Sequence, residues 1–101
     1  FILLYINKNY YYFFANYIRT MISNKIIEAI NSGVTRTDKY IELPSEYVDM
    51  WMISNNVVNN LSDVKLLEVK FDYFIILHRN IRIAVDFLMF DTITIKISLI
   101  D

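Results

Sequence analysis

The chain lacks cysteine altogether, and its 101 residues include one glycine, one proline and one histidine. Without cysteine, neither a disulfide scaffold nor a thiolate metal site can form. A phosphate cradle needs several glycines, so that backbone N–H groups can approach the phosphate. Gly33 alone excludes a Walker or dinucleotide-binding loop. Charge is also nearly balanced: ten basic against eleven acidic residues leave a net charge of -1. That balance disfavours a nucleic-acid binder working through bulk positive charge. Long hydrophobic runs are missing as well. The apolar stretch over residues 1–6 stops at Asn7-Lys8-Asn9, far short of the roughly 20 residues that span a bilayer. It has neither the charged n-region nor the small-residue cleavage site of a secretory signal.

What is present is greasy. Apolar residues make up 55% of the chain and aromatic residues 16%, which separates it from disordered sequences, poor in Ile, Phe and Tyr. A chain of this length reads as one domain with its own core. Phe, Ile, Asn, Lys and Tyr are abundant, whereas Gly, Ala, Arg and Pro are scarce. The first five have A/T-rich codons, so the bias points to an A/T-rich genome, with an intracellular, organelle- or virus-associated setting as the expectation. Phe1 is not an initiator and the first methionine is Met21. Residues 1–20 are therefore open to reading as an extension or upstream segment, and a truncated reading frame also stays open.

Along the chain, residues 1–6 read as a short strand or lead-in and Asn7-Lys8-Asn9 as a turn. From about Tyr10 the pattern becomes helical. Phe14, Ile18, Ile22, Ile26 and Ile30 follow at four-residue steps, Phe13, Tyr17, Met21 and Ile27 widen the stripe, and Asn16, Arg19, Thr20, Ser23, Asn24, Lys25, Glu28 and Asn31 fall mainly opposite. Ser32-Gly33 ends this amphipathic helix. A short strand is expected over 39–43, stopped by Pro44. A second amphipathic helix is expected over 45–60, capped by Ser45, with Tyr47, Met50, Trp51, Val57, Val58 and Leu61 on its apolar stripe. Beyond Asp63 the period drops to two. One strand runs from Leu67 into the wholly apolar 74–77, His78-Arg79-Asn80 forms a hairpin loop, and two more alternating strands follow around a turn at Asp91-Thr92. The expected fold is a single α+β domain over 1–101, two amphipathic helices packed on an antiparallel β-meander as a two-layer sandwich.

Chemistry is harder to find. Glu42, Glu46 and Asp49 cluster around Pro44, where carboxylates near a helix N-terminus are favoured without any metal. His78 beside Arg79 reads as an exposed turn residue, and no serine sits in an elbow motif. No cofactor or metal is expected. The run Tyr10-Tyr11-Tyr12-Phe13-Phe14 is read as a helix start buried in the core, with base stacking or a membrane interface as the functional alternatives. Asn60-Leu61-Ser62 matches a glycosylation sequon without a secretory signal to give it meaning. The segments Leu61-Ser62-Asp63-Val64, His78-Arg79-Asn80-Ile81 and Phe87-Leu88-Met89-Phe90 resemble the opening of a BTB/POZ interaction domain. The spacings around His78-Arg79 differ from that family's, and the following segment alternates like a strand where the family has a helix. The resemblance is not membership.

The leading functional expectation is a non-catalytic small subunit or protein–protein interaction module. A core this small cannot shelter all the Ile and aromatic side chains, which leaves an apolar patch for a protein partner or a second copy. Outward Leu88 and Phe90, with Ile100, Arg79 and Arg82, are the candidate contact residues. Nucleic acid is disfavoured, no transmembrane span is expected and peripheral membrane contact stays open. The alternative is a small enzyme or enzyme fragment around His78, with Arg79 and Arg82 or with Asp72, completed by another chain.

Overall fold

A computed structural model describes residues 2–32, 43–44, 48–89 and 92–100, with side chains over 12–32, 48–88 and 94–100. Helix α1 (Ile2–Asn31) is followed by β1 (Leu43–Pro44), α2 (Met50–Asn59) and four strands: β2 (Val64–Val69), β3 (Tyr73–His78), β4 (Ile81–Met89) and β5 (Thr92–Ile100). Strands β2 to β5 form an antiparallel meander, and β1 adds to its β5 edge in the order β1-β5-β4-β3-β2. The fold is α+β, as the periodicities predict. Pro44 lies within β1, opposite Thr92, instead of merely stopping a strand. An edge is where a residue without an N–H is tolerated in a sheet. The remainder of the expected 39–43 strand, residues 39–42, lies outside the described residues, as do Gly33 and Ser45.

The expected strand at 1–6 and the turn at Asn7-Lys8-Asn9 are overturned: α1 runs unbroken through all of them. Asn and Lys cost a helix only a few tenths of a kcal/mol each, and no Gly or Pro interrupts the segment. Thirty residues at about 1.5 Å rise make a helix of roughly 45 Å. Among its residues with described side chains, Ile22, Ile26, Ala29 and Ile30 join the core, Ile18 and Ile27 lie at its margin, and Ala15 is fully buried. The molecule measures 53 × 26 × 22 Å with a radius of gyration of 14.6 Å, above the roughly 13 Å of a compact chain this long.

Helix α2 starts later than expected. Asp49 is its N-cap, and its Oδ1 accepts from the Met52 N–H at 3.1 Å. Met50, Ile53, Ser54 and Val57 face the core. Trp51, expected on that stripe, is exposed, because one residue after Met50 the helix has turned about 100°.

The sheet presents one face to both helices. Phe74, Ile76, Ile83, Val85, Phe87, Ile95 and Ile97 on this face join α1 and α2 in one cluster with Leu61. The register places them in rows: Phe74 opposite Val85, Val85 opposite Ile97, Ile76 opposite Ile83. The expected strand running from Leu67 to Leu77 is in fact two. Val69 pairs with Phe74 and the Lys70 N–H donates to the Tyr73 carbonyl at 2.8 Å, so the chain reverses at Lys70-Phe71-Asp72. A bulge between Leu66 and Glu68 shifts the register of β2. The β3–β4 turn consists of Arg79 and Asn80, with φ of 51° and 67°. Two successive positive φ values match the right-handed twist of a hairpin.

Candidate interaction surfaces

His78 is the last residue of β3, not part of the loop, and it shares the core-facing parity of Phe74 and Ile76. It is 7% exposed, and its Nε2 is buried with no hydrogen-bond partner. The expectation of an exposed turn residue is therefore overturned. With the loop reduced to Arg79 and Asn80, alternation along β3 carries the imidazole inward. The structure does not bring it together with its proposed helpers. Arg82 pairs with Leu77 and points to the opposite face of the sheet from His78, which pairs with Ile81. Asp72 lies at the other end of β3, about 20 Å away at ~3.3 Å per residue. No group of three metal-ligating side chains occurs among the described residues. Of the acidic cluster, Asp49 serves as a helix cap, and Glu42 and Glu46 lie outside the described residues. A groove of about 200 Å³ opens between α1 and β5, lined by Lys25, Ile26, Glu28, Ala29, Ser32, Ile95 and Ile97. None of the residues considered for chemistry lies in it.

Two surfaces remain. The first is the sheet face turned away from the helices. Leu77, Arg82 and Ile100 form one row, Ile75, Ala84 and Ser98 the next, and Tyr73, Asp86 and Lys96 a third. Leu88, opposite Thr94, is exposed. Ile75, Leu77 and Ile100 are half-buried by their neighbours. Three of the candidate contact residues, Leu88, Ile100 and Arg82, thus share one face. Arg79 sits in the turn beside it, its N–H donating to the Asp63 carbonyl at 3.0 Å, and Phe90 lies outside the described residues. The charged groups here perturb one another. Half-burial raises the Asp86 carboxyl above its ordinary value, the nearby Asp72 charge adds to this and Lys96 opposes it. The Tyr73 hydroxyl donates to a Glu68 carboxylate oxygen, and that bond holds the phenol above its ordinary value, with desolvation and the carboxylates adding to the rise.

The second surface is an aromatic patch on α1. Phe13 is 66% exposed and Tyr17 62%, with Tyr12 and Phe14 also exposed. The expectation that this aromatic run begins a helix inside the core is overturned over Tyr12, Phe13 and Phe14, which lie mid-helix and exposed, while the side chains of Tyr10 and Tyr11 lie outside the described residues. The rings of Phe13 and Phe14 pack edge to face with centroids 6.0 Å apart. Ala15 is fully buried between these exposed neighbours. Ser23, placed on the polar side by its composition, is buried and donates to the Arg19 carbonyl at 2.7 Å. Such a bond to the preceding turn lets a hydroxyl sit on a core face. Among the described residues, no helix is long and apolar enough to cross a membrane. No protein-family model matches the chain, and neither a curated protein nor a solved structure matches it.

Proposed function

We propose that this protein is a non-catalytic interaction module, a small subunit that works by docking on another protein chain. The observation that carries the reading is the exposure of Phe13 and Tyr17, with Phe14 beside them, along one helix. Large exposed aromatic clusters are rare on isolated proteins and mark contact sites, because leaving that area in water forgoes roughly 25 cal/mol per Å². Aromatic residues are also the type most enriched among dominant interface contacts. The outer sheet face, with Leu88, Ile100 and Arg82, supplies a second, mixed surface of the kind found around an interface rim.

Sedimentation velocity tests this on the full chain, alone at micromolar concentration and added to an extract of its native host. Migration as a larger particle in either setting, reversed by Phe13→Ser with Tyr17→Ser, is the expected result. A monodisperse monomer in both settings overturns the proposal.

A further inference from the structure

We infer that the free edge of β2 pairs antiparallel with β2 of a second copy of this chain, joining two sheets into one. The inference goes beyond the interaction-module reading and uses none of the aromatic residues of α1. In the order β1-β5-β4-β3-β2, β2 is an outer strand, and among the described residues its far edge pairs with nothing. At one end the Asp63 carbonyl accepts from the Arg79 N–H, and at the other the Lys70 N–H donates to the Tyr73 carbonyl, so Asp63 and Lys70 turn their backbone groups toward β3. Alternation along the ladder then turns those of Val64, Leu66 and Val69 to the open edge. Such an edge is a template for another strand.

The sequence of β2 names the partner. Val64-Lys65-Leu66-Leu67-Glu68-Val69 is its own antiparallel complement. Paired about its centre, it sets Val64 against the partner's Val69, Lys65 against the partner's Glu68 and Leu66 against the partner's Leu67. The faces obey the same symmetry. Residues three apart on a regular strand point to opposite faces, but the bulge between Leu66 and Glu68 shifts the register of β2. Lys65, opposite Leu77, and Glu68, opposite Ile75, therefore share the outer face, while Val64, opposite His78, and Val69, opposite Phe74, share the inner one. Val64 and the partner's Val69 both offer backbone groups to the seam and make a hydrogen-bonded pair. Lys65 and the partner's Glu68 make the adjoining pair, the kind in which side chains approach most closely, and both positions are exposed. A bulge and charges also guard an edge, but a guard needs no opposite charge at the mirrored position. Nor would pairing with a foreign strand require β2 to complement itself. Six residues span roughly 20 Å, so the interface belongs with the small, weak and reversible ones below about 1,200 Å².

Sedimentation equilibrium on the full chain, loaded up to about 1 mM, should show a dimer that dissociates on dilution to micromolar concentration. Lys65→Glu sets acid against acid at both symmetric pairs and should raise the dissociation constant about tenfold or more, with far-UV circular dichroism unchanged. Glu68→Lys sets base against base, with the same result. Mixed together, these two variants should recover a dimer about as tight as the parent chain, because each acid then faces a base. Since the chain has no native cysteine, Lys65→Cys and Glu68→Cys should cross-link under oxidation when mixed and not alone; like positions lie about 10 Å apart in this register. Phe13→Ser with Tyr17→Ser should leave the dimer unchanged. A monomer over the whole range, a dimer indifferent to Lys65→Glu, a charge-swapped mixture that stays apart, or self-cross-linking of Lys65→Cys overturns the seam. Each of these leaves the interaction-module reading standing, because that reading turns on Phe13 and Tyr17.

Discussion

One helix with two environments makes a sharp prediction: of two truncations thirteen residues apart in α1, the smaller one should cost far more. Ile26 is 1% exposed and packs in the cluster with Ile95 and Ile97. Ile26→Ala removes three carbon atoms, worth about 0.8 kcal/mol each in transfer. The remaining cavity adds about 24 cal/mol per Å³ wherever the walls cannot close. Because Ile26 also lines the α1–β5 groove, part of that space opens to water and the cavity contribution stays small. About 3 kcal/mol is expected in total. That is a large share of the 5–15 kcal/mol typical of a whole domain, and at about 4–8 °C per kcal/mol it lowers Tm by roughly 12–24 °C. Phe13→Ser, at a position 66% exposed, should cost no more than about 0.5 kcal/mol when measured at dilution. Urea melts followed by far-UV circular dichroism, with the slope m unchanged between variants, give both numbers. A cost under about 1 kcal/mol for Ile26→Ala would refute the docking of α1 on the sheet. A cost above about 2 kcal/mol for Phe13→Ser at dilution would refute the exposure of Phe13.

Other consequences follow from single contacts. Asp49→Ala removes the side-chain acceptor for the Met52 N–H and should destabilise by about 1 kcal/mol in the same melts. His78→Leu exchanges a buried imidazole with an unpartnered Nε2 for a hydrocarbon, so stability should hold or rise by up to about 1 kcal/mol; a loss above about 2 kcal/mol would reveal a polar contact that matters. Replacing Arg79-Asn80 by Asn-Gly places the residue types that best tolerate positive φ at the two positions that adopt it and should stabilise by about 1 kcal/mol. Asp86 has a folded-state pKa raised above its ordinary 3.8, so the native state binds its proton more tightly than the unfolded chain. Stability attributable to this group is present below the ordinary value and is lost as pH rises through the folded one. Asp86→Asn should therefore gain a few tenths of a kcal/mol at pH 7 after screening and nothing at pH 3, and an equal gain at both would remove ionisation as the cause.

Where the periodicity was uninterrupted, residues announced their faces. The alternation Ile83, Val85, Phe87 against Arg82, Ala84, Asp86 and that of Ile95, Ile97 against Lys96, Ser98 reappear as the two sides of β4 and β5. The four-residue steps Ile22, Ile26, Ile30 reappear as the core stripe of α1. Misreadings arose where local chemistry imitated another state. Asn7-Lys8-Asn9 has the polarity of a turn, yet the helix passes through it. Lys70-Phe71-Asp72 reverses the chain without glycine or proline, and alternation continues across it from Val69 to Tyr73, so the turn left no mark in the pattern. His78 hid for a related reason: its polarity suggested a loop, whereas the loop proper needs only the two residues that adopt positive φ. The candidate contact residues were legible by parity alone, which set Leu88, Arg82 and Ile100 on one face. The exposure of Phe13 and Tyr17 was not, because a stripe facing away from the core looks the same in sequence as one facing it.

That ambiguity bears on composition. An A/T-rich genome supplies Tyr, Phe, Ile and Asn freely, so abundance alone is no argument for a contact surface. Position is a separate matter, because codon bias acts alike on every face of a helix. Along one side of α1, the exposed Phe13 and Tyr17 give way to the exposed Thr20, Asn24, Glu28 and Asn31. The inward side changes little over its second half, holding Ile22, Ile26, Ala29 and Ile30 in the core. Mutational drift has no means of gathering exposed aromatic side chains on one side of a helix. A helix that needed solubility along its whole outer side would carry polar residues throughout, so the exposed Phe13 and Tyr17 fit the proposed docking surface better than they fit codon bias.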